Sequence, residues 1–258
     1  MAELATPTAI EVRGISKRFG DETDGLLALD SCSFDVAQGE FVSIVGPSGC
    51  GKSTMLRLIA DLLEPTTGSI VVNQQSARDA RLARDIGVVF QSPVLYQWRS
   101  VRRNVELPLE VMNIRKEERR RLANEMLELV GLEEFADGYP WQLSGGMQQR
   151  VSIARALSFS PEILLMDEPF GALDELTRER MNAELQRIWS TTNATVLFIT
   201  HSIAEAVFLS DRVMVMSPRP GKMVLNTEIP LPRPRGEETR ESDDFFHLIT
   251  EVRAGLRE

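Results

Sequence analysis

Three clusters of residues have side chains whose types and spacing fit one chemistry. The first is Gly46-Pro47-Ser48-Gly49-Cys50-Gly51-Lys52-Ser53-Thr54: a glycine, four residues, then Gly-Lys-Ser. Glycines let backbone N–H groups turn inward around phosphate oxygens. A helix starting at the end of such a loop adds a favourable field for anions. Lys52 offers a point charge to β- and γ-phosphates, and Ser53 offers a hydroxyl to Mg2+. Phe41–Val45 (FVSIV) reads as a buried strand feeding the loop and Ser53–Leu63 as a helix leaving it, the context this motif requires. Cys50 reads as a small filler, with a redox-active thiol as the alternative.

The second cluster is the apolar run Ile163–Met166 ending in Asp167 and Glu168. A buried strand with two terminal acids puts both at the carboxyl edge of a sheet, where open α/β sheets bind ligands. Asp167 could hold Mg2+, and Glu168 could orient and polarise an attacking water. The third cluster is Leu143-Ser144-Gly145-Gly146-Met147-Gln148-Gln149-Arg150, before a helix from Met147 to Phe159. Ser144 fits its N-cap, and the glycines expose donors at a second anion-binding helix end. One phosphate loop plus a second such helix start in one chain suggests a site shared between chains.

These residues need a sheet to position them. Strands are expected at Ala9–Val12, Leu29–Val36, Gly68–Val72, Ile86–Phe90, Val196–Thr200 and Arg212–Met216. Helices are expected at Leu176–Trp189 and Ile203–Leu209. This alternation implies a mostly parallel sheet covered on both faces. Residues 92–142 break the pattern with a charged helix, Ile114–Val130, whose apolar stripe is expected at Leu122, Met126 and Leu129. Its basic run, Lys116–Arg121, contains acids and reads as a solvated face. The Pro-rich tail from Ser217 ends in an amphipathic segment around Phe245–Leu256 and is expected to be loosely packed.

The 258 residues carry a net charge of -9, which argues against a broad nucleic-acid-binding surface. Cys32 and Cys50 allow at most one disulfide, so a reducing compartment is expected. No run approaches the roughly 18 apolar residues of a membrane span, and Met1–Thr8 lacks the pattern of a signal peptide.

With six motifs in one order, the chain resembles the ATP-binding subunit of ABC transporters over about residues 9–225. They are the phosphate loop, Gln91 after IGVVF, LSGGMQQR at 143–150, LLMDEP at 164–169, Ala172-Leu173-Asp174, and His201 after VLFIT. The resemblance implies an α/β fold: a P-loop RecA-like core, an N-terminal antiparallel β subdomain and a helical subdomain inserted at about 92–160. Residues 226–258 would form a C-terminal tail. ATP and Mg2+ are the implied ligands. Gln91 would join Ser53 and Asp167 at Mg2+ and sense a membrane subunit. Lys52, Glu168 and His201 would act on the γ-phosphate and the water, and Asp174 would lie at a dimer interface. Phe19, in SKRFG, holds the position of the family's adenine-stacking aromatic, where Tyr is usual; a core Phe is the alternative.

QSPVLYQWR at 91–99, VRRNVELPLE at 101–110, the segment Phe208–Gly221 and LPRPR at 231–235 resemble importers of nitrate, sulfonate and taurine. Tyr96-Gln97 stands where many of that group have Leu-Pro. The implied partners are a second ATPase subunit as homodimer or pseudo-dimer, a membrane permease and an extracytoplasmic solute-binding protein, without nucleic acid. The implied location is the cytoplasmic face of the inner membrane. Leu95, Tyr96 and Trp98 are candidates for docking the permease, with a core role as the alternative. An exporter or lipid-transport ATPase is the alternative function. Chromosome-maintenance ATPases share the signature but need a long coiled coil, and only about 90 residues separate loop and signature here.

Overall fold

The computed structural model describes residues 7–21, 25–192 and 194–257. The chain opens with β1 (Thr8–Phe19), β2 (Leu26–Ala37), β3 (Phe41–Val45) and α1 (Lys52–Ile59). It continues through β4 (Thr67–Val72), β5 (Gln75–Ser76), α2 (Ala77–Ala83) and β6 (Ile86–Val89). Three helices follow: α3 (Val101–Val111), α4 (Lys116–Leu129) and α5 (Gly145–Leu157). Alternation resumes with β7 (Ile163–Asp167), α6 (Glu175–Thr192), β8 (Thr195–Thr200), α7 (Ile203–Leu209) and β9 (Arg212–Met216). The end is β10 (Met223–Glu228), α8 (Glu237–Arg240) and α9 (Asp243–Gly255).

Six strands form the central sheet in the order β10-β9-β3-β8-β7-β6, parallel except for β10 at the edge. Its inner strands are apolar at nearly every position because both faces are covered. Alternate side chains divide between two cores. Phe41, Val45, Leu164, Met166, Val196, Phe198, Val213 and Val215 pack with α5, α6, α7 and α9. Val42, Ile44, Ile163, Leu165, Leu197, Ile199, Met214 and Met216 pack with α1 and the second sheet. That sheet is antiparallel, ordered β2-β1-β4-β5. The expected α/β architecture is therefore present, although β1 is longer than its apolar start at Ala9–Val12 suggested.

The charged helix forms as α4, but its buried line is Ala123, Leu127 and Val130, one residue along from the expected stripe. Leu122, Met126 and Leu129 flank that line and are half-buried. The wholly buried Asn104 of α3 ties down the segment after Gln91. Its Oδ1 accepts from Tyr96 N–H (2.8 Å), and its Nδ2 donates to the carbonyls of Tyr96, Arg99 and Ser100.

The tail departs from the expectation of loose packing. β10 pairs along β9, and Phe245, Leu248, Ile249 and Val252 of α9 are buried in the larger core. The physical reason is Arg235, which is 3 % exposed and donates to the carbonyls of Val207, Phe208, Ser210, Ile229 and Leu231. It caps the C-terminal end of α7, where carbonyls lack helical partners. Arg233 stacks 4.3 Å from the Trp189 ring and pairs with Asp211 at 2.8 Å.

Candidate functional site

Because β6, β7, β8 and β3 are neighbouring parallel strands, their carboxyl ends lie side by side on one sheet edge. Gln91 follows β6, Asp167 and Glu168 end β7, His201 follows β8, and residues 46–51 follow β3. Sheet order thus brings together residues that are up to about 150 positions apart, at the edge where such sheets bind ligands.

The loop conformation depends on its glycines. Gly49 and Gly51 have φ of 76° and 112°. A Cβ on Gly51 would also stand 2.7 Å from Leu29 Cδ2 and 3.0 Å from Ala28 O. Lys52 is buried; its Nζ donates to Gly46 O (2.8 Å) and Pro47 O (3.0 Å) and lies 3.9 Å from Glu168 Oε1. Cys50 is buried, and its Sγ lies 4.0 Å from Lys52 Nζ. Burial pushes the Cys50 thiol pKa up against the pull of Lys52, which keeps it a thiol and favours the filler role over a redox one.

Ser53 Oγ donates to Asp167 Oδ1 at 2.7 Å. Burial raises the Asp167 pKa, opposed by that hydrogen bond, so the carboxylate lacks full charge compensation. A hydroxyl, a carboxylate and the Gln91 amide nearby are hard donors that fit Mg2+. Among the described residues no three His, Cys, Asp or Glu side chains gather as a metal cluster, so phosphate and water oxygens would supply the other ligands.

Glu168 adopts φ 45° and its N–H donates to Ile199 O (2.9 Å), which ties the end of β7 to β8. Its Oε2 lies 3.3 Å from His201 Nδ1 and 3.5 Å from Gln91 Nε2. Glu205, which the sequence reading did not single out, is 4 % exposed behind this group. Its Oε2 bonds Thr200 Oγ1, whose oxygen also accepts Ser202 N–H at 3.0 Å, while its Oε1 has no partner. Burial beside the turn carrying His201 raises its pKa, opposed first by the Thr200 bond.

An open cleft of about 380 Å³ runs from the phosphate loop past Gln91 and Glu168 to Phe19, Leu26, Ala28 and Arg219. Phe19 is 40 % exposed on this cleft, so it is not a core residue. Arg219 was missed, since nothing in the sequence joins position 219 to the loop. Asp167 and His201 lie outside this lining, joined to it through Ser53 and Glu168, whereas Ser144, Gly145, Gly146 and Asp174 neither line it nor bond to its residues. Ser144 caps α5 by accepting Met147 N–H, with Ser144 and Gly145 exposed and Gly146 buried. Asp174 is exposed and accepts Thr177 N–H (3.0 Å) at the start of α6, which lowers its pKa.

The segment after Gln91 divides. Leu95 is buried, in accord with a core role, whereas Val94, Tyr96 and Trp98 are exposed. Val94 and Tyr96 line an apolar groove of about 430 Å³ with Pro108, Val111 and Met112. Gln149 and Arg155 of α5 donate to this segment, at Phe90 O (3.2 Å), Pro93 O (2.8 Å) and Val94 O (2.8 Å).

A family model described as ABC transporter matches residues 29–171. The chain is 49% identical over 235 residues to the taurine import ATP-binding protein TauB of Rhizobium johnstonii, covering 89% of this chain and 88% of that protein. It is 43% identical over 256 residues to the nitrate import ATP-binding protein NrtD of Synechocystis sp., covering 96% and 95%. Its fold is similar to the ATP-binding cassette MJ0796, solved as a dimer in a post-hydrolysis state with ADP and Pi (TM-score 0.74, 36% identity, 88% of this chain and 99% of that one). It is also similar to cbiO1 of Clostridium perfringens, part of the ABC transporter complex cbiONQ (TM-score 0.78, 25% identity, 96% and 98%).

Proposed function

The chain belongs to the ABC transporter family and is one of its ATPases, and from that premise we propose that it powers import of a small solute through a separate membrane permease. One observation carries the mechanism: the cleft gathers the phosphate loop, Gln91 and Glu168 but lacks the donors at Ser144–Gly146. Each chain then offers two half-sites. Two copies packed head to tail would complete both, with ATP between the phosphate loop of one and Ser144–Gly146 of the other. Asp174 and Leu173 would border that junction, since a Cβ on Gly145 would meet Leu173 at 3.9 Å.

In the proposed site Phe19 stacks on the base, and the backbone N–H groups of residues 46–54 cradle the phosphates. Lys52 exchanges its loop carbonyls for phosphate oxygens. Bound Mg2+, held by Ser53, Asp167 and Gln91, would neutralise charge on the β- and γ-phosphates. Glu168 accepts a proton from the attacking water, while His201, hydrogen-bonded to Glu168, holds the water and the γ-phosphate in line. ATP bridges the two chains only in the closed pair, so it favours that state by differential affinity, and hydrolysis releases it.

The names of the taurine and nitrate relatives support import, and the apolar groove at Val94, Tyr96 and Val111 supports a docked permease helix. No described helix is long and apolar enough to cross a membrane. The proposed location is the cytoplasmic face of the inner membrane, held by the permease, with an extracytoplasmic solute-binding protein in the same system.

Mixing inactive variants tests the shared site. Lys52→Ala in one chain and Ser144→Arg in the other leave one composite site intact in a head-to-tail mixed pair. Phosphate release should return on mixing although each variant alone is inactive. A mixture as dead as its components would overturn the arrangement.

A further inference from the structure

Residues 217–222, between β9 and β10, are wedged against both the phosphate loop and β2. Gly221 N–H donates to Ala28 O (2.9 Å), and Asp30 N–H donates to Gly221 O (3.0 Å). A Cβ on Gly221 would lie 2.2 Å from Cys50 O, so this segment presses directly on the phosphate-loop backbone. Lys222 pairs with Asp30 at 2.8 Å, and Ser217 Oγ accepts Lys222 N–H at 3.0 Å. The segment is thus fixed at both ends. Its Arg219 lines the cleft with Phe19, Leu26 and Ala28, beside Ser48 and Gly49. Arg219 is exposed, and among the described residues its side chain has no ion pair or hydrogen bond. A guanidinium carried by a fixed loop into a cleft shared with an aromatic ring and a phosphate loop offers that cleft a cationic wall.

We propose that Arg219 is a nucleotide-binding residue that contacts the base, ribose and α-phosphate end of ATP. This rests on the cleft being the ATP site. Lys52 lies deeper, beside Glu168, and serves the terminal phosphates. Arg219 is carried by the loop bonded to β2 at Ala28 and Asp30, close to the paired Leu26 and Phe19, where ATP and ADP would present the same groups. Its planar donors suit phosphate oxygens and the face of a base alike. Its contribution to binding is therefore equal for ATP and ADP, unlike that of Lys52.

The test is equilibrium binding of fluorescent ATP and ADP analogues to the full chain, with Glu168→Gln present to prevent turnover. Arg219→Ala should weaken both by roughly tenfold and by the same factor, as for one charge-assisted contact. Arg219→Lys should recover only part of the loss, and thermal melting should be unchanged. Lys52→Ala is the control for the cleft. If it leaves both affinities intact, the ATP site lies elsewhere. If it weakens ATP while Arg219→Ala changes neither affinity beyond twofold, the Arg219 assignment is overturned. Loss of ATP but not ADP affinity in Arg219→Ala would overturn placement at the base end. If the Ala variant folds poorly, Arg219→Gln makes the same comparison.

Discussion

Glu168 stands within reach of three different groups: Lys52 at 3.9 Å, His201 at 3.3 Å and Gln91 at 3.5 Å. A carboxylate so placed can take a proton while staying oriented, so Glu168→Gln should bind ATP normally and lose about 10²-fold or more in turnover. Phosphate release beside a binding titration measures this, and a near-normal rate would remove Glu168 from the role of base. Glu205 gives a prediction of opposite character. Its raised pKa means the folded protein holds a proton that the unfolded chain releases near pH 4.3, roughly. Between that pH and the higher folded pKa the native state binds more protons, so stability falls as pH rises. Glu205→Gln should flatten that decline, read by urea unfolding at a series of pH values; a variant as pH-dependent as its parent would refute it. The motif residues were legible because type and spacing are fixed together, as in Gly51-Lys52-Ser53. Arg219 and Glu205 were not, because one needs the β9–β10 turn folded against β2 and the other needs a partner turn packed over it.

Among the elements, the tail shows what pattern reading can and cannot deliver. Phe245, Leu248, Ile249 and Val252 form a visible helical stripe, yet a stripe does not reveal whether a face exists to receive it. The decisive residue lies ten positions earlier, in a Pro-rich stretch that reads as loop. Arg235 fills the carbonyl end of α7, and burial pulls its guanidinium pKa down only to about 10, so it keeps its charge at neutral pH. Arg235→Ala would leave these buried carbonyls unpaired and should cost about 2–4 kcal/mol. Urea denaturation reads the loss; a change below about 0.5 kcal/mol, the range of ordinary surface substitutions, would contradict the capping role. The strands were easier. Alternation between two apolar faces in β3, β7, β8 and β9 shows as short continuous apolar runs. The stripe on α4 was misjudged by one position because small Ala123, not the larger Leu122, sits nearest the neighbouring helices.

At the scale of the whole molecule, the proposed arrangement makes the chain half of two sites and one side of a docking surface. Val111 is 69 % exposed on the apolar groove and Trp98 is 74 % exposed nearby. Val111→Asp and Trp98→Asp should each weaken capture of the permease in a pull-down while leaving ATP affinity unchanged. Equal capture by both variants would move the docking surface elsewhere. The net charge of -9 argues against a broad nucleic-acid-binding surface and says nothing against phosphate binding, which depends on local donors. The hydrogen bonds from Gln149 and Arg155 to Phe90, Pro93 and Val94 have a mechanical consequence. They join the helix whose tip would meet the other chain's phosphates to the segment that would grip the permease. In the proposed dimer, these bonds would pass a displacement of the tip on to the segment after Gln91, as a rocker arm does. In the proposed transporter, Gln149→Ala should loosen that arm, keeping phosphate release while lowering solute uptake per phosphate released; unchanged uptake per phosphate would contradict the coupling.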